Sequence, residues 1–509
     1  MKTVLGIDLG TQSLKVVFYD YEARRVAAAA AAPLELLRDD TGRAEQEADW
    51  WLSALAHALS EVPAGVRASV RAIGVSGQQH GFVAVDGRGR VVAPVKLWCD
   101  TSTQQEAEEI TAACGGRARC IALTGNPVLT GYTAPKIRWL SKQRPERYGQ
   151  MTHILLPHDY LNFALTGRLV MEPGDASGTN LLDVRTRNWC EEMLRAVDPS
   201  RDLAECLPPL CEPRSFVGET TGECEKRFGL PSGVPVAPGG GDNMMAAVGT
   251  GNVAPGRLTM SLGTSGTLFA HSETPVIDES GNIAAFCGST GAWLPLVCTM
   301  NCTLATELVR APLGVPTERF DEVVGAVAPG SDGVIVLPFF TGERTPNLPR
   351  ARASVLGLSA QNCTQSHLLR ATVEGATFGL KFGLDELAKL GVEAEEIVVT
   401  GGGARSQAWC QIVADVCRLP VTVLALEEGA SFGAALQALW MLERQSDESV
   451  AIADITDSHL TPRHALCKEP EEKAAARYDD VYRAYRRATT DMITSHGLDQ
   501  ASDRIEERA

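Results

Sequence analysis

A short segment of this chain is built twice. Near the start, Val4, Leu5 and Ile7 form an apolar run, Asp8-Leu9-Gly10-Thr11 interrupts it, and Leu14, Val16, Val17 and Phe18 resume it. In the second half, Leu258 to Leu262 leads into Gly263-Thr264-Ser265-Gly266-Thr267 and then Leu268-Phe269. Each copy reads as strand, tight turn, strand, with β-branched and aromatic residues on either side of a glycine-bearing break. The shared kernel Leu-Gly-Thr, at Leu9 to Thr11 and again at Leu262 to Thr264, points to two duplicated halves, each organised on its own sheet. A chain of 509 residues and 54.4 kDa has the length for two to four domains, so two halves with separate cores fit.

Between the copies lies Val234-Pro235-Val236-Ala237-Pro238, then Gly239-Gly240-Gly241, then Asp242-Asn243-Met244-Met245-Ala246-Ala247-Val248. It reads as strand, turn and helix, with Asp242 opening the helix, and it marks the seam between domains. Helices are predicted at Asp49 to Leu59, Gln365 to Leu390, Gln407 to Cys417 and Ser431 to Leu442, where apolar residues recur at three- and four-residue intervals. Mixed with the strands they make the chain α/β. Ala27 to Ala32 has helical propensity but sits among β-type segments, and the extended reading is preferred. Glu469 to Met492 is charged and amphipathic, a closing helix, and Ile493 to Ala509 reads as a polar tail. The expected domains are therefore 1–247 and 248–492, followed by the tail 493–509.

Composition excludes several classes. With 44% hydrophobic and 22% charged residues the chain is neither disordered nor fibrous. Its formal charge of −16 has the wrong sign for nucleic acid or an anionic membrane as partner. The apolar run Val26 to Ala32 is far short of the ~20 residues a membrane-spanning helix needs. Met1 to Gly6 runs straight into the first motif without the apolar core of a signal peptide, so a cytoplasmic chain beginning here is expected. The 14 cysteines, from Cys99 to Cys467, contain no C-x-x-C pair and read as free, mostly buried thiols.

Four segments carry chemistry. Asp8 ends an apolar strand, where a carboxylate needs a cationic partner, and a divalent metal carrying phosphates is a natural one. Gly10 lets a ligand approach the backbone while Thr11, Gln12 and Ser13 offer donors to phosphate oxygens. The plain alternative is a hairpin turn with a capping Asp. Asp242, at a helix start behind three glycines, is an accessible carboxylate able to take a proton from an attacking alcohol, or else a simple N-cap. Gly401-Gly402-Gly403-Ala404-Arg405-Ser406, between the strand Ile397 to Thr400 and a helix, suits a nucleotide lying on bare backbone. It has neither the G-x-G-x-x-G register nor the Gly-Lys-Ser ending of the common nucleotide loops. Gly77-Gln78-Gln79-His80-Gly81 gathers polar groups after the strand Ala72 to Val75, as a ligand rich in hydroxyls requires, because each buried hydroxyl must be paired. A structural histidine is its alternative. Trp98 offers a stacking face, or mere core filling, and Asp100 a further hydroxyl acceptor.

Together these segments resemble the FGGY carbohydrate kinases, of the superfamily that includes actin and hexokinase, from Gly6 to about Trp440. Gly131-Tyr132-Thr133-Ala134-Pro135-Lys136-Ile137-Arg138-Trp139-Leu140 is similar to the family's first signature, and Ala353-Ser354-Val355-Leu356-Gly357-Leu358 with His367 to Glu374 to its second. Within the family the xylulokinase branch is the most similar. The pieces are Glu45-Gln46 before Trp50-Trp51, Gly77 to Gly81, Thr124-Gly125-Asn126, Leu156-Pro157-His158-Asp159-Tyr160-Leu161 and Gly342-Glu343-Arg344-Thr345-Pro346. Glycerol kinases usually carry Gln-Arg-Glu-Thr where this chain has Gln78 to Gly81. The chain departs from many xylulokinases at Gln79, where they have Met, and at Cys99, where they have Asn.

The resemblance implies an actin-like (ribonuclease H-like) duplicated two-domain α/β fold, with mixed sheets flanked by helices and a central cleft for sugar and nucleotide. It implies Asp242 as the catalytic base and Asp8 as the carboxylate supporting Mg²⁺. Gln79, His80, Trp98, Asp100 and Asn243 would meet the sugar, with Asp242. Gly10, Thr11, Gln12 and Ser13, and Gly263, Thr264 and Ser265, match the two phosphate loops, and Gly402, Gly403 and Gln407 would lie by the adenosine. The expected activity is ATP-dependent phosphorylation of a ketopentose, D-xylulose first, with ribulose, L-xylulose or a pentitol as alternative acceptors. The rival expectation is a non-catalytic sugar-binding sensor on the same fold. A homodimer is left open.

Overall fold

A computed structural model describes residues 1–426 and 429–495, so the 496–509 part of the predicted tail lies outside the described residues. The chain divides into two compact units. The first comprises Met1–Ala254, His271–Pro295 and Glu428–Leu460, and the second Pro255–Ala270, Leu296–Glu427 and Thr461–Ala509, the undescribed residues left aside.

The first unit is organised on a seven-stranded sheet. β1 (Thr3–Leu9) and β2 (Ser13–Asp20) form the predicted hairpin, and β3 (Arg25–Pro33) continues it antiparallel. The alanine run is therefore extended, because the ladder to β2 supplies hydrogen bonds that an isolated helix would have to make alone. On the other side of β1 lies β4 (Val70–Gly77), parallel to it, and parallel to β4 run the short β5 (Pro235–Val236) and β6 (Gly240–Gly241).

The second unit repeats that plan. β7 (Gly256–Leu262) and β8 (Gly266–Ala270) form its hairpin, and β9 (Leu296–Thr299) extends it antiparallel. β10 (Ala394–Thr400) lies parallel to β7, and β11 (Val421–Val423) parallel to β10. The order β9-β8-β7-β10-β11 reproduces β3-β2-β1-β4-β5, with the same senses of pairing. The duplication legible in three residues thus extends to five strands of each unit, and Ser261 stands in the second hairpin where Asp8 stands in the first.

Helices cover both sheets. In the first unit α1 (Ala48–Ser60) buries Trp51, Leu52, Leu55 and Leu59 in the core that holds Leu5, Ile7 and Leu9. α2 (Pro157–Thr166) follows a short strand, and α3 (Asp242–Gly249) starts directly after β6. In the second unit α4 (Gln365–Lys389) and α5 (Gln407–Cys417) match their predicted spans. α6 (Gly429–Arg444) returns the chain to the first unit, where its backbone lies on the central strands: a methyl at Gly6 would stand 1.8 Å from the Ser431 carbonyl oxygen, and one at Gly74 2.0 Å from that of Ala434. α7 (Glu472–Ser495) closes the second unit, extending past Met492 into the expected tail. Its Tyr478 is bonded to Arg370 (2.7 Å) and Glu374 (2.9 Å) of α4.

All 14 cysteines are free thiols, eight of them buried. Among the described residues no helix is long and apolar enough to cross a membrane.

Candidate active site

The site of the first unit is built on the C-terminal ends of adjacent parallel strands. Asp8 lies near the end of β1, in register with Ser76 of β4, and Ser76 is in register with Gly240 of β6. The Ser76 hydroxyl donates to Asp8 Oδ1 at 2.8 Å. Gly241, in register with Gly77, is the N-cap of α3, so Asp242 is its first residue and does not act as the cap. Its Oδ1 accepts instead from the backbone N–H (2.8 Å) and side-chain Nδ2 (3.0 Å) of Asn243. The Asp242 carboxyl ionises near pH 7, pushed up by burial and then by the negative charges of Asp8 and Asp175, with the Asn243 bonds pulling the other way. Two carboxylates far apart in sequence thus feel each other's charge because β1 and β6, on either side of β4, end together.

The loop after β1 is tied down by a chain of side-chain bonds. Thr11 Oγ1 donates to Gln78 Oε1 (3.0 Å) and accepts from the Trp98 indole N–H (3.0 Å). Gln78 Nε2 donates to Gln46 Oε1 (2.9 Å), which also accepts from the Trp51 indole (2.9 Å). Gln46 Nε2 in turn donates to the Thr11 carbonyl at 2.8 Å. Gln46 and Gln78, both fully buried, fix the loop's position, while Gly10, Thr11 and Ser13 are partly exposed and Gln12 exposed. Trp98 is half-buried, neither core filling nor fully open, with its N–H committed to Thr11.

Gln79 and Asn243 form one pair, Asn243 Nδ2 donating to Gln79 Oε1 at 2.7 Å, and Gln79 Nε2 lies 3.2 Å from the Met244 sulfur. His80 follows in the left-handed region at φ 62°, its carbonyl held by Lys136 Nζ (2.8 Å) and Thr133 Oγ1 (3.1 Å) of the first signature segment. Asp100 is different. Its carboxylate, fully buried, accepts from Ala44 N (2.8 Å), Lys96 Nζ (3.0 Å), Ser102 N (3.0 Å) and Ser102 Oγ (2.6 Å), and none of these described bonds goes to Gln79, His80 or Asn243.

In the second unit the corresponding hairpin turn, Gly263 to Ser265, is partly exposed, with Thr264 the most open. Its carbonyls accept from the following segment, Thr303 N to Gly263 O (2.8 Å) and Cys302 N to Thr264 O (3.2 Å). The glycine loop after β10 lies against it: Gly401 has φ 81°, and a methyl there would be 2.8 Å from the Leu262 carbonyl. Gly403 packs on Leu262 in the same way, whereas Gly402 faces open space. Gln407 is exposed at the start of α5, where its N–H donates to Asp321 Oδ2 at 3.0 Å. Within this unit, then, the proposed phosphate loop and the proposed adenosine residues are neighbours.

Sequence reasoning passed over several residues of the first site. Ser76 holds Asp8, and Lys136, wholly buried, has its ammonium lowered to about 7 by burial, with Asp100 partly opposing this. Asp175 and His158 stand behind His80: His80 Nδ1 is 3.3 Å from Asp175 Oδ1, and His158 Nδ1 is 3.5 Å from Asp175 Oδ2. The available signal for Asp175 is an acid between Gly174 and Ala176, in a run of small residues where a solvated face would be larger and more polar.

Comparison with known proteins shows the family of this chain. The N-terminal domain model of the FGGY family of carbohydrate kinases matches residues 3–249, and its C-terminal domain model residues 258–442. A xylulose kinase of Haemophilus influenzae is 41% identical over 443 residues, 86% of this chain and 90% of that protein. One of Streptomyces coelicolor is 38% identical over 453 residues, 88% of this chain and 90% of that protein. The solved structure of a "xyloylose kinase" from Brucella ovis superposes with a TM-score of 0.89 at 31% identity, covering 98% of this chain and 100% of that one.

Proposed function

The chain belongs to the FGGY family of carbohydrate kinases, and from that premise we propose that it transfers the γ-phosphoryl group of ATP to the terminal hydroxyl of D-xylulose, giving D-xylulose 5-phosphate. The observation that carries the reading is the convergence of Asp8 and Asp242 at the ends of β1 and β6, the two strands that flank β4. A sugar-binding sensor needs no such pair of mutually repelling carboxylates. The choice of sugar is supported by the xylulose kinase relatives at 41% and 38% identity.

Asp242 acts as the base. Asn243 bonds engage Oδ1, so Oδ2 is the oxygen that takes the proton of the attacking hydroxyl. A carboxyl pushed up to about 7 is a better proton acceptor than one at the ordinary value. Gln79, His80 and Asn243 hold the sugar, and Trp98 flanks it from the tethered Thr11 loop. Asp100, its oxygens engaged, supports the wall that carries Trp98. In the first unit Thr11 and Ser13 offer donors to phosphate, and in the second Gly263 to Ser265, Gly402, Gly403 and Gln407 suit a nucleotide.

Asp8 suits Mg²⁺. Among the described residues no cluster of three or more His, Cys, Asp or Glu side chains could hold a metal by itself. One carboxylate that repels a second is what a cation arriving on the phosphates would relieve, because Mg²⁺ is usually held by one or two carboxylates and substrate oxygens. Bound there, it would neutralise charge on the transferring phosphoryl group.

The test is ADP release across a panel of D-xylulose, D-ribulose, L-xylulose and pentitols. The highest kcat/KM is expected with D-xylulose. The reading fails if another acceptor is used better, or if sugars raise the melting temperature without any ADP being formed.

A further inference from the structure

Behind His80 lies a buried row of alternating basic and acidic groups that the phosphoryl transfer itself does not use. Asp175 Oδ1 faces His80 Nδ1 at 3.3 Å and accepts from the His80 N–H at 3.2 Å, while Oδ2 faces His158 Nδ1 at 3.5 Å. His158 Nε2 lies 3.0 Å from Asp159 Oδ1 and 4.0 Å from Glu172 Oε1. Asp159 Oδ2 accepts from Leu156 N (3.0 Å), and Glu172 from Gly174 N (2.7 Å) and Asp175 N (2.5 Å). The five side chains are almost completely out of water. Such a set is expensive to bury, and apolar packing would stabilise the unit as well or better.

We propose that Asp175, braced by His158, is a positioning residue that sets the orientation and tautomer of the His80 imidazole at the acceptor site. The inference rests on the kinase reading above. The backbone of His80 sits in the left-handed region, which is unfavourable for a non-glycine residue, and it is held there from both sides. Lys136 and Thr133 bond its carbonyl and Asp175 bonds its N–H. The ring is enclosed by Tyr132 (5.0 Å between centroids) and Phe286 (5.4 Å), and Gly178 lies flat on it, since a methyl there would be 1.9 Å from Cε1. With its plane fixed, the remaining freedom is which nitrogen carries the proton. A carboxylate is negative and cannot donate, so Asp175 Oδ1, 3.3 Å from Nδ1, favours the proton on that nitrogen by its charge and leaves Nε2 to accept from a sugar hydroxyl when the ring is neutral. His158, between three acids, stands 3.5 Å from the second Asp175 oxygen, and its charge opposes a turn of the carboxylate away from it.

Asp175→Asn, nearly the same shape but without the charge, tests this. Its amide can turn an N–H toward His80 and reverse the tautomer. The acceptor KM and the calorimetric sugar Kd should rise about tenfold, with the nucleotide KM within twofold of the parent. In a His80→Asn background the same change should add less than twofold. Equal losses in both backgrounds, a parallel rise in nucleotide KM, or unaltered sugar binding would overturn the proposal. If Asp175→Asn does not fold, His158→Gln should show the same selective loss, about threefold, and an unselective one refutes it. Should the parent prefer a different acceptor, the substrate assignment fails but the cycle is read on that sugar. If no sugar binds the parent, both fail.

Discussion

Asp242→Asn should stabilise the protein while abolishing its activity, and the stabilisation should depend on pH in a defined direction. Burial, Asp8 and Asp175 raise the Asp242 carboxyl from 3.8 to about 7. A group with a folded value above its unfolded one favours folding while protonated. That contribution is complete below about pH 3.8 and gone once the pH has passed 7. Relative to a side chain that does not titrate, the native carboxyl therefore costs about 2 kcal/mol at pH 5 and about 4 kcal/mol at pH 8. The advantage of the Asn variant should grow by about 2–3 kcal/mol between those two pH values. For a unit of about 300 residues this corresponds to a melting-temperature difference that widens by about 4 °C. The assay is thermal unfolding of both proteins, free of nucleotide and Mg²⁺, at pH 5, 6, 7 and 8, beside ADP release at pH 8. Mg²⁺ with nucleotide should shrink the gap, since a cation near Asp8 removes part of the repulsion. A difference that stays flat with pH would refute the account of the carboxyl's environment. Turnover within a few-fold of the parent would refute its role as base.

Ser76→Ala removes one bond to Asp8, worth about 1 kcal/mol, and should raise the Mg²⁺ concentration for half-maximal activity about fivefold, leaving the sugar KM unchanged. Gly401→Ala forces a methyl against the Leu262 carbonyl at a positive φ, so a titration of ATP should show a raised nucleotide KM with acceptor KM unaffected. Gly74→Ala pushes α6 off the central strands, and by overpacking should destabilise the first unit by about 1–3 kcal/mol, read as a lower melting temperature.

Much of this molecule is local in origin and was legible as such. The hairpins around Asp8 and Gly263 announce themselves through period-two apolar runs broken by glycine, and α4 and α5 through their three- and four-residue spacing. Even the duplication needs only Leu-Gly-Thr at two places. The nucleotide loop at Gly401 to Ser406 could be proposed because a strand, three glycines and a helix are contiguous. Local pattern was less informative where pairing decides conformation, as in Arg25–Pro33, whose alanines become a strand only through β2.

Which side chains meet was decided by the tertiary structure. Asp100 carries the same chemistry as Asp242, yet Lys96, Ala44 and Ser102 occupy it, whereas the end of β6 delivers Asp242 beside Asp8. Ser76 and Asp175 had no motif to mark them, and the motif holding His158 gave it no role, because these roles come from strand register and from burial shared with residues far off in the chain. Sequence on its own determined the two hairpins and the helices α4 and α5, since these depend on neighbours along the backbone. Only the folded sheet decided how strongly each carboxyl holds its proton, because that depends on charges and solvent excluded across space.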